Sequence, residues 1–211
     1  MEKKPRKPTQ KRALEKIDRI VEAAFKLFNE KGYYNTTTAD IATEADVATG
    51  SVYAYFEDKK DIYIQVIKKN SENFKYPTHD FWVENKHQQF SDAEVCKNLF
   101  RVFLKLMISY HNFSKLYHDE LEALTLLDKD VGRIIEEQES LRLKKIEEVF
   151  GLLSIPFKSQ EDLNIFLHYC YLLIDDCCHK VVFDDTVKDI NLYIDKCVDM
   201  IYSLFEATTA Y

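Results

Sequence analysis

Helix breakers are scarce in this chain of 211 residues, and this scarcity restricts what the chain can fold into. Proline removes a backbone donor and ends or distorts a helix. The chain has four prolines, Pro5, Pro8, Pro77 and Pro156. They leave three long stretches that contain no proline. Apolar residues recur at helical spacing over these stretches, which predicts an all-α protein of about nine helices.

Charge is distributed unevenly along the chain, whose formal net charge is −7. Residues 1–70 carry 14 Lys and Arg against 11 Asp and Glu, whereas the remainder carries 15 against 25. A positive first third followed by an acidic remainder is typical of a protein that touches phosphates with one end only.

Targeting and redox features favour a cytoplasmic protein without a membrane span. No apolar segment follows the basic N-terminus, so a secretory signal is not indicated. The longest nearly apolar run, 163–174, is too short to span a bilayer. The five cysteines form no Cys-x-x-Cys pair, and an odd number without framework spacing favours reduced thiols.

Breaks in the periodic pattern predict four segments. They are a flexible basic arm (1–10), a helix-turn-helix domain (11–57), a connecting helix (58–76) and a larger helical domain (77–211). The boundary is placed at Tyr76–His79, where Pro77 is expected to break the helix. In the larger domain, helix caps are predicted at Ser91, Asp130, Ser159 and Thr186.

The segment 36–56 reads as two short helices joined by a tight turn. Thr37 is expected to cap the first helix with Asp40 three residues on, a variant of the capping box. Asp46 is expected to adopt a left-handed backbone at the turn, and the second helix is predicted over 49–55. A helix-turn-helix protein places its second helix in the major groove of DNA and holds the backbone with the first.

The pattern from Ile20 to Ile62 resembles the tetracycline-repressor (TetR) family of bacterial transcriptional regulators. The resemblance covers about 45 residues in register, a span far longer than a generic helix-turn-helix match. The matching residues are Ala23, Ala24, Leu27, Phe28, Gly32, Tyr33, Thr36, Thr37, Ile41, Ala42, Ala45, Val47, Gly50, Tyr53, Tyr55, Phe56 and Lys59. It implies an N-terminal helix-turn-helix three-helix domain followed by a C-terminal ligand-binding and dimerisation domain.

By this resemblance seven positions face DNA: Thr37, Thr49, Gly50, Ser51, Tyr53, Tyr55 and Lys59. Short side chains allow close approach to the groove, and hydroxyl groups can bond to phosphates or base edges. Alternatives remain for three of them, because Thr37 could serve only as a cap, Tyr53 could be core, and Lys59 could be an ordinary solvated lysine. Four neighbours are interpreted as core only: Ile41, Val47, Val52 and Phe56.

Two departures from the family pattern affect DNA binding more than the fold. Asp46 stands where the family usually has glycine and adds a negative charge near DNA. Ala48 stands where serine is frequent and removes a helix cap or phosphate donor. The basic arm could compensate by lying along phosphates or in a minor groove, or it could be a solvated tail.

Apolar periodicity in the last two helices predicts a homodimer. The seam in the last helix has spacings of four and three residues, and the preceding helix is apolar on two sides. The predicted interface residues are Leu167, Tyr171, Ile190, Ile194, Cys197, Ile201 and Leu204. The resemblance implies a four-helix bundle between two subunits and hence a palindromic operator; the alternative is a monomeric core.

Aromatic residues in the middle helices suggest a pocket for a small apolar or aromatic effector, since the family encloses its effector there. The predicted lining residues are Phe103, Met107, Tyr110, His111, Tyr117, Phe166, Tyr169, Cys170 and Leu173. Aromatics at helical spacing are also found in a plain core, which is the alternative.

No cofactor, metal or catalytic motif is predicted. Cys177, Cys178 and His179 lack the usual spacing of zinc ligands, and no nucleophile–base pair or glycine-rich phosphate loop supports an enzyme. The sequence favours a ligand-responsive transcriptional repressor that a small effector releases from double-stranded operator DNA. The alternatives are a helical small-molecule or protein-binding module with weakened DNA binding and, less favoured, a thiol or metal sensor.

Overall fold

The chain folds into α-helices joined by short turns. A computed structural model describes residues 11–211, apart from the side chains of 73–78, so the predicted basic arm lies outside the described residues. In the described part the only β-pairing is an isolated bridge between Phe157 and Thr209. The all-α class is confirmed, with helices α1 (Lys11–Lys31), α2 (Thr38–Glu44), α3 (Thr49–Val52), α4 (Lys59–Glu84), α5 (Ala93–Tyr110), α6 (Lys115–Leu127), α7 (Lys129–Leu152), α8 (Gln160–Phe183) and α9 (Ile190–Thr208).

Three helix caps differ from the predicted ones, and aspartate provides the cap each time. The Asp92 carboxylate accepts hydrogen bonds from backbone amides in the first turn of α5, where Ser91 was the predicted cap. Asp128 accepts from the backbone amides of residues 130 and 131 at the start of α7, where Asp130 was expected. Asp189 caps α9 instead of Thr186. Carboxylates at a helix N-terminus also gain from the helix dipole, whereas Ser159 caps α8 as predicted.

Helix α4 continues past the expected break at Pro77 and ends at Glu84. A proline inside a helix removes one backbone hydrogen bond, and the other bonds of this 26-residue helix remain available to hold it. Trp82, in the last turn, is 3% exposed within an apolar core. Burial of this large side chain favours continuing the helix beyond the proline. Within the described residues, no helix has both the length and the apolar character needed to cross a membrane.

The described residues form two compact units. One consists of the chain up to Asn73 together with Phe113–Glu139, and the other of Phe74–Asn112 and Ser140–Tyr211. This differs from the predicted linear division at residue 77, because α6 and the start of α7 pack with the helix-turn-helix. Helices α4 and α7 each contribute residues to both units.

Each unit has its own hydrophobic core. In the first unit, α1, α2 and α4 bury Phe28, Ile41 and Tyr63 completely, and the rings of Phe28 and Tyr63 meet edge to face at 5.1 Å. Tyr117 of α6 joins this core, 5.5 Å from the ring of Phe25. The second core contains an aromatic cluster whose members include Trp82, Phe90, Phe100, Phe103, Phe150, Phe166 and Phe205.

Gly32 ends α1 with φ +83°, a conformation that costs residues with a Cβ roughly 1–2 kcal/mol. A Cβ at this position would also lie 2.6 Å from a carboxylate oxygen of Glu120. We therefore expect Gly32→Ala to lower the free energy of unfolding by roughly 2 kcal/mol or more, measured by urea denaturation.

Gly151→Ala is the matched control, because no heavy atom lies within 4 Å of its added Cβ. Alanine is the better residue in a helix, so this control should keep or raise stability by up to about 1 kcal/mol. Equal stability of the Gly32→Ala variant and the wild type would contradict the steric argument.

Candidate nucleic-acid interface

The connection between α1 and α2, residues 32–36, is held by hydrogen bonds from three sides. The backbone amide of Tyr33 donates to the carboxylate of Glu120 on α6. The hydroxyl of Thr36, which is 1% exposed, donates to the carbonyl of Gly32 at 2.6 Å. These bonds fix where α2 begins.

Lys59 supplies the third side of this connection. Its ammonium group donates to the carbonyls of Tyr33 at 2.6 Å and Thr36 at 2.8 Å, and lies 4.2 Å from the centre of the Tyr33 ring. Partial burial lowers the pKa of Lys59, against the opposing effect of the Glu120 charge. Lys59 is therefore not an ordinary solvated lysine; its contact with DNA stays a prediction.

The predicted capping box at the start of α2 is confirmed. The hydroxyl of Thr37 accepts from the amide of Asp40 at 3.1 Å, and the Asp40 carboxylate accepts from the amide of Thr37 at 2.8 Å. Lys31 lies 3.0 Å from the same carboxylate. The hydrogen bonds from Thr37, followed by that from Lys31, lower the pKa of Asp40 from 3.8 to about 2. Thr37 is exposed beside this cap, so its contact with DNA also stays a prediction.

The turn between the two helices has the hydrogen bonds of a Schellman motif. The amide of Val47 donates to the carbonyl of Ala42 and that of Asp46 to the carbonyl of Thr43. This motif requires a left-handed residue after the helix, most often glycine. Asp46 occupies that position with φ 52°, as the sequence predicted.

Helix α3 is shorter than predicted and begins without a side-chain cap. It ends at Val52, and residues 53–55 form a turn closed by the amide of Phe56, which donates to the carbonyl of Val52 at 3.0 Å. Ala48 occupies the N-cap position and has no side-chain oxygen to bond the free amides. The sequence predicts that α3 lacks a side-chain cap, and the structure confirms this.

The predicted DNA-facing residues share one stretch of the first unit and differ in exposure. Thr37, Thr49, Gly50 and Tyr53 are exposed, while Ser51, Tyr55 and Lys59 are partly buried. Tyr53 has 54% of its surface accessible, which argues against the alternative of a core residue. Of the residues interpreted as core, Ile41, Val52 and Phe56 are buried and Val47 is partly buried.

The predicted effector-pocket residues are divided between the two units. Phe103, Met107, Phe166 and Cys170 lie in the core of the second unit, with Tyr110 and Leu173 packed against it. His111 is partly buried in the same unit. Two assignments require correction, because Tyr117 belongs to the core of the first unit and Tyr169 is 53% exposed at the surface of α8.

The predicted dimer residues on α9 also require correction. Ile194, Cys197 and Ile201 are at most 3% exposed and pack in the core of their own subunit, so they have no surface left for a partner. The regular apolar seam marks the intramolecular face of α9. Leu167 and Leu204 are partly buried against the same core, Tyr171 is partly buried, and Ile190 is 45% exposed.

The contact of Glu120 and an exposed apolar stripe on α8 were not predicted from the sequence. Glu120 bonds to the connection before α2 from a distant helix, and no local pattern signals such a contact. Ile165 lies four residues before Tyr169, which precedes Leu172 by three. All three are exposed by 38% or more and form a stripe on α8, here called the α8 stripe. Its spacing is visible in the sequence.

Known proteins match this architecture at two levels. Residues 20–66 match the family model described as bacterial regulatory proteins, tetR family. The transcriptional regulator HbdR of Aromatoleum sp. is 52% identical over 54 residues, which are 26% of this chain and 24% of that protein. That similarity therefore covers about a quarter of each protein.

Longer matches extend beyond the N-terminal region. The biofilm operon negative regulator IcaR of Staphylococcus epidermidis is 24% identical over 89% of this chain and 95% of its own. A TetR-family regulator from Mesorhizobium loti superposes with a TM-score of 0.77 at 17% identity, covering 94% of this chain and 98% of its own. A regulator from Saccharomonospora viridis, solved with choline, superposes with a TM-score of 0.66 at 18% identity. That match covers 89% of this chain and 96% of its own. Residues 20–66 of this chain therefore match the TetR family of bacterial helix-turn-helix regulators, and the described chain shares the fold of solved TetR-family regulators.

Proposed function

We propose that this protein is a homodimeric repressor that binds a palindromic operator through the surface around α3 and is released by a small apolar or aromatic effector. The observation that carries the proposal is the exposure of Thr49, Gly50 and Tyr53 beside a hydrogen-bonded turn. A recognition helix lies in the major groove and presents polar side chains to base edges and phosphates. The relative IcaR is named as a negative regulator, which supports the repressor role.

Binding to DNA from the region upstream of its own gene tests this function. We expect fluorescence anisotropy to show sequence-selective binding that weakens as salt rises, since phosphate contacts release counterions. Replacing both Thr49 and Ser51 by alanine should remove selective binding while circular dichroism shows an intact fold. An unaffected double variant would favour a helical binding module whose DNA function has weakened.

Gly50 offers a sharp test of close approach to DNA. A Cβ added at this position meets no heavy atom within 4 Å in the free protein. Gly50→Ala should therefore leave stability unchanged or raise it by up to about 1 kcal/mol. Operator affinity should still fall by about tenfold, equivalent to about 1.4 kcal/mol, if the helix approaches the groove at this residue. Unchanged affinity would place Gly50 outside the interface.

The turn residue Asp46 bears on how strongly this protein binds DNA. Asp46→Asn removes the negative charge and keeps a residue that tolerates the left-handed backbone. Asp46→Gly also removes the backbone cost of roughly 1 kcal/mol. We expect both variants to bind operator more tightly, but only the glycine variant to be clearly more stable to urea.

Asp46→Asn and Asp46→Gly are controls for each other. If affinity rises only in the glycine variant, the backbone strain rather than the charge limits binding. If neither variant binds more tightly, Asp46 does not weaken the contact with DNA.

The effector is proposed to act through the second unit. Its core carries the aromatic cluster around Trp82, which supports an apolar or aromatic ligand. The structural relative from Saccharomonospora viridis contains choline, which supports a small-molecule effector in general. Trp82 is the only tryptophan in the sequence, so its fluorescence can report ligand binding directly. Helices α4 and α7, which continue through both units, offer a covalent route for the response.

The α8 stripe is proposed as the centre of the dimer interface. TetR regulators act as dimers, and Ile165, Tyr169 and Leu172 form an exposed apolar row at helical spacing. A two-fold axis through this row would bring it against itself in the partner. The alternative of a monomeric core does not explain why these three side chains face solvent.

Leu172→Arg should therefore give a monomer by light scattering at concentrations where the wild type is dimeric, because two arginines would meet at the axis. Val102→Arg on α5 is the control, since Val102 is 47% exposed and Leu172 46%. This control should remain dimeric. Dimers in both variants would contradict an interface at the α8 stripe.

A further inference from the structure

Three side chains with metal-binding atoms converge in the second unit. His111 is the C-cap residue that follows α5, and Asp175 and His179 lie one turn apart on α8. One ligand atom from each lies within 4.8 Å of the others, and all three side chains are partly buried. We call this group the His–Asp–His cluster.

The separations in the cluster suit a transition-metal ion. Two ligand atoms about 2.0–2.1 Å from a tetrahedral zinc ion lie about 3.3 Å apart. The Nδ1 of His179 and an oxygen of Asp175 are 3.5 Å apart, close to that value. Their spacing of four residues places them on the same face of α8. The rings of His179 and His111 have centroids 5.3 Å apart, so a small rotamer adjustment would bring all three groups onto one ion.

The surroundings of His111 resemble the support that metal-binding histidines have. Its Nδ1 lies 2.9 Å from the carbonyl oxygen of Met107. An imidazole that donates from Nδ1 to a backbone carbonyl carries its lone pair on Nε2, and such a bond also orients the ring toward a metal. The carboxyl end of α5, where His111 stands, has a partial negative charge that favours a cation.

We propose that His111, Asp175 and His179 bind a divalent transition-metal ion, best matched by Zn²⁺, and that the ion links the end of α5 to α8. Two imidazoles and one carboxylate are the ligand set of a zinc site with an open position, which water or an external donor occupies. This site does not depend on the proposed repressor function, because it can be measured without DNA.

Calorimetric titration of the chelator-treated full-length protein with Zn²⁺ tests the proposal. We expect one ion per chain and a higher thermal transition temperature with zinc present. His111→Ala and His179→Ala should each weaken zinc binding at least about 100-fold, more than the loss of a supporting group usually does. His168→Ala is the matched control, since His168 lies on the same helix, is exposed and stands outside the cluster. It should bind zinc like the wild type.

Two further measurements keep the proposal falsifiable. Asp175→Asn is nearly isosteric and should weaken zinc binding without disturbing the helix. It therefore tests the site even if a histidine variant loses helicity by circular dichroism. Co²⁺ bound in place of zinc should give a visible spectrum without the charge-transfer bands of thiolate ligands. Thiolate bands would assign the metal to the five cysteines and overturn the proposal. Equal binding by His179→Ala and His168→Ala, or no stoichiometric binding by the wild type, would also overturn it.

Discussion

The helix-turn-helix depends on the hydrogen bonds of the partly buried ammonium group of Lys59. It bonds two carbonyls of the connection that leads into α2, while Glu120 takes an amide from the same connection. A hydrogen bond that involves a charged group contributes about 1.5–3 kcal/mol, more than a neutral one. Removing either charge would therefore leave backbone groups of this connection without partners. The position of α2, and of everything that follows it up to the turn at Asp46, rests on these two side chains.

The helix-turn-helix combines well-supported elements with two local compromises in stability. Thr37 and Asp40 form a complete capping box for α2, whereas α3 begins at Ala48 without a cap. The left-handed position at Asp46 is filled by a residue that adopts it at a cost. Both compromises lie at the turn and at the start of α3, while the core beneath them is fully buried. Stability is thus lost where the surface would meet DNA, and the fold itself is unaffected.

The sequence predicts best what local chemistry decides. Gly32, the capping box at Thr37 and the left-handed turn at Asp46 all follow from residue types within a few positions of one another. Prediction fails where distant residues decide, as with α6, whose Tyr117 packs in the first unit although it follows helix α5 of the second. The seam on α9 has the spacing of a dimer contact and yet faces its own core. A narrow apolar row looks the same in either case.

In the candidate sites, too, residues in a local motif were predictable from the sequence and residues far apart in the chain were not. The seven positions proposed to face DNA follow from a gap-free motif, and the structure adds their exposure and the internal bonds of Lys59. The metal ligands were missed because His111 and His179 stand far apart in sequence and no short motif joins them. Only the pair Asp175 and His179, four residues apart on one helix, was visible as a local signal.

Helix α8 connects the proposed dimer interface with the proposed metal site. At about 100° per residue, Asp175 and His179 fall on the same side of α8 as Leu172 of the α8 stripe. The stripe ends at Leu172, and in the following turns the cluster with His111 occupies that side of the helix. An ion held there would tie the C-terminal half of α8 to α5 and reduce the freedom of the helix that carries the stripe. Metal binding and dimer formation would then favour each other, because each orders the same helix.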